Sequence, residues 1–403
     1  MPIHFVQVLA IISAAGACAG IVYNVFCLWS ARKFIYQRGG LDLKGKGRPG
    51  TPPVSILKPL RGTDPEMYES FRSHCLVDYP EYEILFAVHD PNDPAVTLVE
   101  KLKLEFPERQ IRLLVFPKAL GANIKVSNLA QMAPLAQYEY LLVNDSDIRV
   151  ERDYLCRIMA PFVDEQVGMV TCLYRGVAGS TIVSKLEALG ISTDFCAGVL
   201  MAQVVEGEVR FGLGSTMALR KRDLEGIGGF DTIVDYLADD YELGARIAGS
   251  GKRVHIADTV VETFLPAYSW RDFVRHQLRW ARGIRDSRPW GYMGLALTHA
   301  VPWAVLTVML ERGAWWAWIL LGIALAVRLS VAFAVGELVL GDKQVRKLWW
   351  LIPLRDCLAL IFWAAAYAGR TVHWRGDRFL LKKGKLERAG SPLSSRLSTS
   401  AEP

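Results

Sequence analysis

A chain of 403 residues with 51% hydrophobic residues, a net charge of +6 and a mean hydropathy of +0.19 is long enough for a full catalytic domain and too apolar for that domain alone. The basic excess sits at the ends. Residues 1–52 hold six Lys/Arg against one Asp and residues 370–388 seven against two acids, so the middle of the chain is acidic. An acidic middle argues against a nucleic-acid binder, which needs a basic soluble face with aromatic readers. The seven cysteines, with no CxxC, argue against a metal–thiolate site.

Residues 5–29 are uncharged and long enough to span hydrocarbon. The positive charges follow this run (Arg32, Lys33, Arg38) instead of preceding it, so it reads as an uncleaved anchor over 1–33 with a cytoplasmic C-terminal end, followed by a basic linker over 34–52. From 53 to 290 the pattern alternates. PVSILKPL (53–60), YEILFAVHD (82–90), IRLLVFP (111–117) and YEYLLVND (138–145) read as buried strands, and PAVTLVEKLKLEF (94–106) as a helix between them. This alternation predicts an α/β domain with a mainly parallel sheet, whose ligands lie beyond the carboxyl ends of the strands. Two of those ends carry acids, Asp90 in one and Asp145 with Asp147 in the other. Either pair member alone is explained by an Asx-turn or a cap; carboxylates at two separate strand ends point to one crevice.

Further along, residues 182–205 read as an apolar core helix, with a membrane-dipping helix as the alternative. GSTMALRK (214–221) reads as a strand running into a loop, and KRDLEGIGGFD (221–231) as a short helix closed by glycines. Asp239 and Asp240 then open a helix that ends near Gly249, with a strand after it. In 270–291, Arg275, Arg279, Arg282 and Arg285 recur along one side of a helix that also bears Trp270, Phe273 and Trp280. Such a helix can lie on lipid headgroups, close over a diphosphate, or do both. Apolar segments at 292–310, 314–335 and 348–369 predict three more membrane segments. Arg328 in the second and Arg355-Asp356 in the third should face protein or an aqueous pocket, because a charge at mid-membrane costs about 2.5–3.5 kcal/mol. Four full spans would leave the basic segment 370–388 outside, against the sign rule, so the last one is a full span or a re-entrant or interfacial segment. The basic ends suit an anionic lipid surface, and the Ser/Pro-rich tail after Ala389 predicts disorder.

The parts assemble into one chemistry. Transfer of a sugar from a nucleotide diphosphate needs a divalent cation and Arg or Lys on the leaving phosphates and a carboxylate to take the acceptor's proton. Asp145 and Asp147 suit the cation, Asp239 or Asp240 the base, and Arg279 the diphosphate.

These residues carry a resemblance. The stretch from about 53 to 290 resembles the family-2-like glycosyltransferases of GT-A fold. Within them it is similar to the ceramide glucosyltransferase branch that includes the bacterial hopanoid-biosynthesis enzymes. VSILKPLRGTDP (54–65) looks like the first strand and loop of the family, and VHDPNDPA (88–95) like its first acidic site. NIKVSNL (123–129) is similar to the Asn-x-Lys segment, NDSDIRV (144–150) to the DxD element, and LADDYELG (237–244) to the catalytic-base element. HQLRWARGIR (276–285) matches the Q/R-x-x-R-W element, with His276 in place of its first residue. With TCLYRG (171–176) and the full DxD, it looks more like the hopanoid-type members than the animal ceramide enzymes.

The resemblance implies an α/β GT-A domain with N- and C-terminal transmembrane helices. It implies inverting transfer of one sugar from a UDP-sugar to a lipid hydroxyl, with Mg2+ or Mn2+. Asp240 would be the base, Asp145 and Asp147 the metal ligands, and Asp90, Lys125, Asn128, Asp145, Arg279 and Trp280 the donor contacts. Asp239, His276, Gln277 and Thr216 complete the candidates. The narrower expectation is UDP-N-acetylglucosamine to a hopanoid, with UDP-glucose to ceramide as the alternative. A multi-pass protein of the bacterial inner membrane follows, with its catalytic domain (53–290, including the interfacial helix 270–285) in the cytoplasm, membrane segments over 291–370 and a basic membrane-proximal segment over 371–403. A processive polysaccharide synthase would need more membrane helices, and a non-catalytic scaffold or transporter would transfer no sugar.

Overall fold

The computed structural model describes residues 3–40 and 51–388. Most of the basic linker and the tail after 388 therefore lie outside the described residues. The central element is an eight-stranded sheet in the order β3-β2-β1-β4-β7-β6-β8-β5. Its strands are β1 (Val54–Pro59), β2 (Tyr82–Val88), β3 (Gln110–Val115), β4 (Tyr140–Val143), β5 (Ile148–Arg149), β6 (Val167–Val177), β7 (Met217–Arg220) and β8 (Arg253–Phe264). Every residue of β1 and β2 is buried, which is why these strands read as mainly apolar runs, broken only by Ser55, Lys58 and Glu83. β2 and β4 flank β1 in parallel, with Val54 opposite both Tyr82 and Tyr140. The chain thus winds outward from β1 in two directions, and the crevice forms at the carboxyl ends where it divides.

The sheet is less parallel than the alternation predicts. β7 runs antiparallel to both β4 and β6. Residues 214–221 are accordingly a loop leading into a strand and then into the helix Lys221–Gly226. This reversal has a consequence for the site. Val143 pairs with Met217, so the beginning of β7 lies beside the end of β4, and Gly214 is brought to the Asp145 turn.

The membrane part is built on small residues. The helix Ile3–Gly40 packs against Ala300–Leu310 and Trp315–Val331. A Cβ at Gly20 would stand 2.5 Å from the Ala300 nitrogen, and one at Gly16 2.9 Å from the Trp303 ring. Close backbone approach of this kind is how helices associate where lipid supplies no hydrophobic drive. Among the described residues four helices are long and apolar enough to cross a membrane: His4–Gln37, Ile182–Val205, Trp315–Val339 and Gln344–Ala366. The segment expected at 292–310 is broken instead, with Pro289–Thr298 and Ala300–Leu310 meeting at 57°.

The conflict over the C-terminal side is resolved by contact. Residues 371–388 form a second sheet, β11-β10-β9, from β9 (Thr371–Trp374), β10 (Asp377–Lys382) and β11 (Lys385–Arg388). It docks on the α/β domain through Arg61–Asp377 at 2.8 Å and Arg375–Asp64 at 2.9 Å. The domain and this sheet therefore share one side, and an even number of crossings lies between them. Ala300–Leu310 and Trp315–Val331 join the N-terminal helix, and Ile352–Ala366 packs on Trp270–Ser287, Ala300–Leu310 and Ile182–Gly190. Phe273 and Phe362 meet there at 5.7 Å. The last apolar segment thus packs one side on the domain, while Leu354 and Ile361 on it stay exposed.

Candidate active site

The Asp-Ser-Asp turn follows β4 directly. Asn144 is fully buried behind it, and its side-chain amide donates to the Tyr154 hydroxyl at 2.9 Å and the Ser215 carbonyl at 2.7 Å. That anchoring leaves the next residue, Asp145, turned to the crevice. Opposite it begins the helix Ile124–Met132. Asn123 caps this helix by accepting from the Val126 N–H at 3.2 Å and donates to the Tyr236 carbonyl at 2.8 Å. A cap of this type contributes about 1 kcal/mol. Here it also ties the helix to the segment preceding Asp239.

Lys125, in the first turn, reaches Asp145 at 2.8 Å and Asp239 at 2.9 Å. Burial works against its charge, but Asp145, Asp239 and Asp240 outweigh burial and raise its pKa. Asp240 accepts from the Gly214 N–H at 3.0 Å and the Tyr241 N–H at 2.8 Å. Burial and then neighbouring Asp239 push its carboxyl up to about 6, despite the helix N-terminus it occupies. Gly214 marks the convergence. A Cβ built there would lie 3.1 Å from Asp145 Oδ2, 3.3 Å from Asp240 Oδ2 and 3.7 Å from Lys125 Nζ. Gly214→Ala should therefore lower kcat/KM about tenfold by crowding both carboxylates, with the unfolding midpoint unchanged, as steady-state kinetics and thermal melts would register.

Asp147 lies deeper. Its Oδ2 accepts from the Thr263 hydroxyl of β8. Burial and then Asp145 raise its pKa to about 6. Two carboxylates one residue apart, one of them disfavoured as an anion by burial and by the other, fit a hard cation. Among the described residues no three or more His, Cys, Asp or Glu side chains form a metal-binding group, so substrate phosphates would have to complete the coordination.

The other expected residues divide. Arg279 is turned inward with Trp374 at 6.0 Å and no carboxylate in ion-pair range among the described residues. Burial lowers its pKa, and Tyr268, Glu187 and Asp145 act in the opposite sense. Trp280 packs against Phe195 at 5.8 Å and His276 at 5.5 Å. His276 and Gln277 are both directed to buried Glu187, His276 at 3.3 Å. Asp90 stands exposed at the end of β2, where it accepts from the Asn92 N–H at 2.9 Å, on the same sheet edge as Asp145 but two strands away. Asn128 is buried and donates to the Ala87 carbonyl at 3.4 Å, behind that edge. Thr216 is not brought to the crevice. It is fully buried, and its hydroxyl bonds Tyr154 at 2.8 Å as part of the support behind Asn144.

Sequence reasoning overlooked Lys58 and Asp64. Lys58 is fully buried in β1, donates to the Asp145 carbonyl at 3.1 Å, and has its pKa lowered to about 7 by burial, with Asp147 and Asp145 opposing. A lysine in the middle of an apolar strand, SILKPL, is the signal that could have found it. Asp64 accepts from the Ser146 hydroxyl at 2.5 Å, inside the turn.

The class is an α/β protein with an acidic crevice beyond its strand ends and helices of membrane-spanning length before and after that crevice in the chain. A model of glycosyl transferase family 21 matches residues 12–387, and the chain belongs to that family: it is a glycosyltransferase. It is 25% identical over 385 residues to ceramide glucosyltransferase 3 of Caenorhabditis elegans, a match covering 91% of this chain and 81% of that one. Over 101 residues it is 36% identical to the ceramide glucosyltransferase of Komagataella phaffii, covering 24% of this chain and 20% of that one. Its fold is similar to that of a Pyrobaculum calidifontis mannosyltransferase solved with GDP-mannose and Mn2+. That match has a TM-score of 0.51 and 19% identity, and covers 89% of this chain and 98% of that one.

Proposed function

We propose that the protein transfers a single sugar from a UDP-sugar to a lipid hydroxyl at the membrane surface, with inversion at the anomeric carbon. The observation that carries this reading is the meeting of Asp145, Lys125, Asp239 and Asp240 around Gly214. Asp240 takes the proton of the acceptor hydroxyl as its oxygen attacks the anomeric carbon. The bond from that carbon to the phosphate oxygen breaks on the opposite face, and UDP leaves with the electron pair. With a pKa near 6, Asp240 is ionised at neutral pH and still basic enough to accept a proton. Arg279 binds the diphosphate, Lys125 holds Asp145 and Asp239 in place, and Asp90 and Asn128 contact the nucleotide. Asp145 and Asp147 hold Mg2+ or Mn2+, which neutralises charge on the departing diphosphate when bound. The Mn2+ of the archaeal mannosyltransferase supports this assignment.

The acceptor side is supported by exposed apolar surface beside the site. Trp270 opens the amphipathic helix Trp270–Ser287, and Trp290 and Met293 follow it, all exposed. In this reading residues 53–290 form the catalytic domain and face the cytoplasm at a bacterial inner membrane, where the nucleotide sugar is available. Two acceptors fit. The full Asp-Ser-Asp and HQLRWARGIR favour a hopanoid with UDP-N-acetylglucosamine; the named relatives favour ceramide with UDP-glucose.

The test is to incubate the purified protein with UDP-[3H]glucose or UDP-[3H]N-acetylglucosamine, Mn2+ and either lipid, and to identify labelled products by mass spectrometry. Labelled lipid that disappears with EDTA is expected. No labelled lipid and no UDP release with any donor would leave the reading without support.

A further inference from the structure

The sheet Thr371–Arg388 carries the basic charge that composition assigns to a lipid surface, yet it is folded onto the catalytic domain. Val372, Phe379, Leu381 and Leu386 pack with Leu237. The Leu237 N–H donates to the Gly384 carbonyl at 3.0 Å, and the Leu386 N–H to the Asp235 carbonyl at 2.7 Å. The sheet is thus tied by main chain to the segment that leads into Asp239 and Asp240. On its other side Arg61 pairs with Asp377 at 2.8 Å, in the loop after β1.

Between these anchors lies the β9–β10 turn. Trp374 stacks near Arg279, and Arg375 occupies the tip. The Arg375 guanidinium donates to both oxygens of Asp64, each at 2.9 Å. Asp64 in turn accepts from Ser146, between Asp145 and Asp147. Asp145 and Asp147 are both within electrostatic reach of Arg375, and so is Arg279. The sheet therefore sets a second arginine over the turn that would bind the donor phosphates. The Arg375 side chain remains 38% exposed, so an incoming anion can reach its guanidinium. A phosphate dianion can replace the Asp64 carboxylate with the same two-pronged geometry.

We propose that Arg375 is a second diphosphate-binding cation, brought over the site by the C-terminal sheet, and that Asp64 holds it until the donor arrives. This inference rests on the reading of the site as one for a nucleoside diphosphate sugar. Its test separates the phosphates from the nucleoside. Binding of UDP and of uridine to the full-length protein in Mn2+ buffer is measured by calorimetry for wild type, Arg375→Ala and Arg375→Lys. Arg375→Ala should weaken UDP by about 10- to 100-fold and leave uridine unchanged, with Arg375→Lys between the two. Unchanged UDP affinity overturns the assignment. So does an equal loss for both probes, which would make Arg375 a pin for the sheet and nothing more. Wild-type protein that binds neither probe overturns the nucleotide-sugar reading itself and this inference with it; wild-type binding with an indifferent Arg375→Ala overturns only the inference.

Discussion

Asp240→Asn will lower kcat by about 10²- to 10⁴-fold while UDP affinity stays near wild type, because the substitution keeps the shape and removes the proposed proton acceptor. The Asn carbonyl can still accept from the Gly214 N–H, so the loop before β7 stays in place. The pH dependence is a sharper check. Burial and Asp239 raise the Asp240 carboxyl to about 6, and below that pH it is protonated and cannot act as a base. The kcat/KM of the wild type, which reports the free enzyme, should therefore rise with pH through about 6 and then level off. Asp239→Asn removes a neighbouring negative charge that raises the Asp240 pKa and should move this limb to lower pH. Lys125→Ala removes a positive charge that lowers it and should move the limb higher. A profile flat between about pH 5 and 7 would contradict the assignment of Asp240 as the base.

Arg328→Leu will destabilise the protein by about 3–5 kcal/mol, as expected when one partner of a buried ion pair is removed. Arg328 donates to both Asp356 oxygens, at 2.8 and 3.0 Å, and to the Thr193 carbonyl and hydroxyl at 3.1 Å each. Both side chains are nearly inaccessible, 6% and 3% exposed. Loss of the arginine leaves Asp356 without its counter-charge among apolar helices. The double variant Arg328→Leu/Asp356→Leu should recover most of the loss, because it removes both members of the buried pair together. Thermal unfolding in detergent would distinguish the two, and equal midpoints for wild type and Arg328→Leu would show that the pair carries no stability.

Much of the catalytic domain was legible because its signals are local. Strands buried on both faces are mostly apolar, so β1, β2 and β4 appear as runs without any knowledge of their neighbours. A carboxylate pair that ends such a run is visible for the same reason, and so is the arginine spacing of Trp270–Ser287. Gly214 was not legible as a site residue. It reaches Asp145 only because β7 runs antiparallel to β4, a pairing between segments about seventy residues apart. Thr216 was misplaced for a related reason: its neighbours in sequence approach the crevice, while its own hydroxyl enters the buried support of Asn144.

The membrane segments divide in the same way. Length and hydropathy sufficed to find the apolar helices, and the charges at Arg328 and Asp356 already required shielding. How the segments pack was not a local matter. Gln344–Ala366 has the composition of a span and rests one side on Trp270–Ser287, leaving most of its residues short of full burial. The basic segment after it could have served a lipid surface or a protein site equally well by charge. Its contacts with Asp64 and Leu237 decided between them.

The amino-acid order thus determined the strands, the apolar helices and the identities of the acids and arginines, since each depends on residues within a turn or two. Only the tertiary structure decided which acids meet, which arginine finds a partner and which helices pack on the α/β domain. Those outcomes depend on sheet order and helix packing, where groups remote in the chain compete for the same few ångströms.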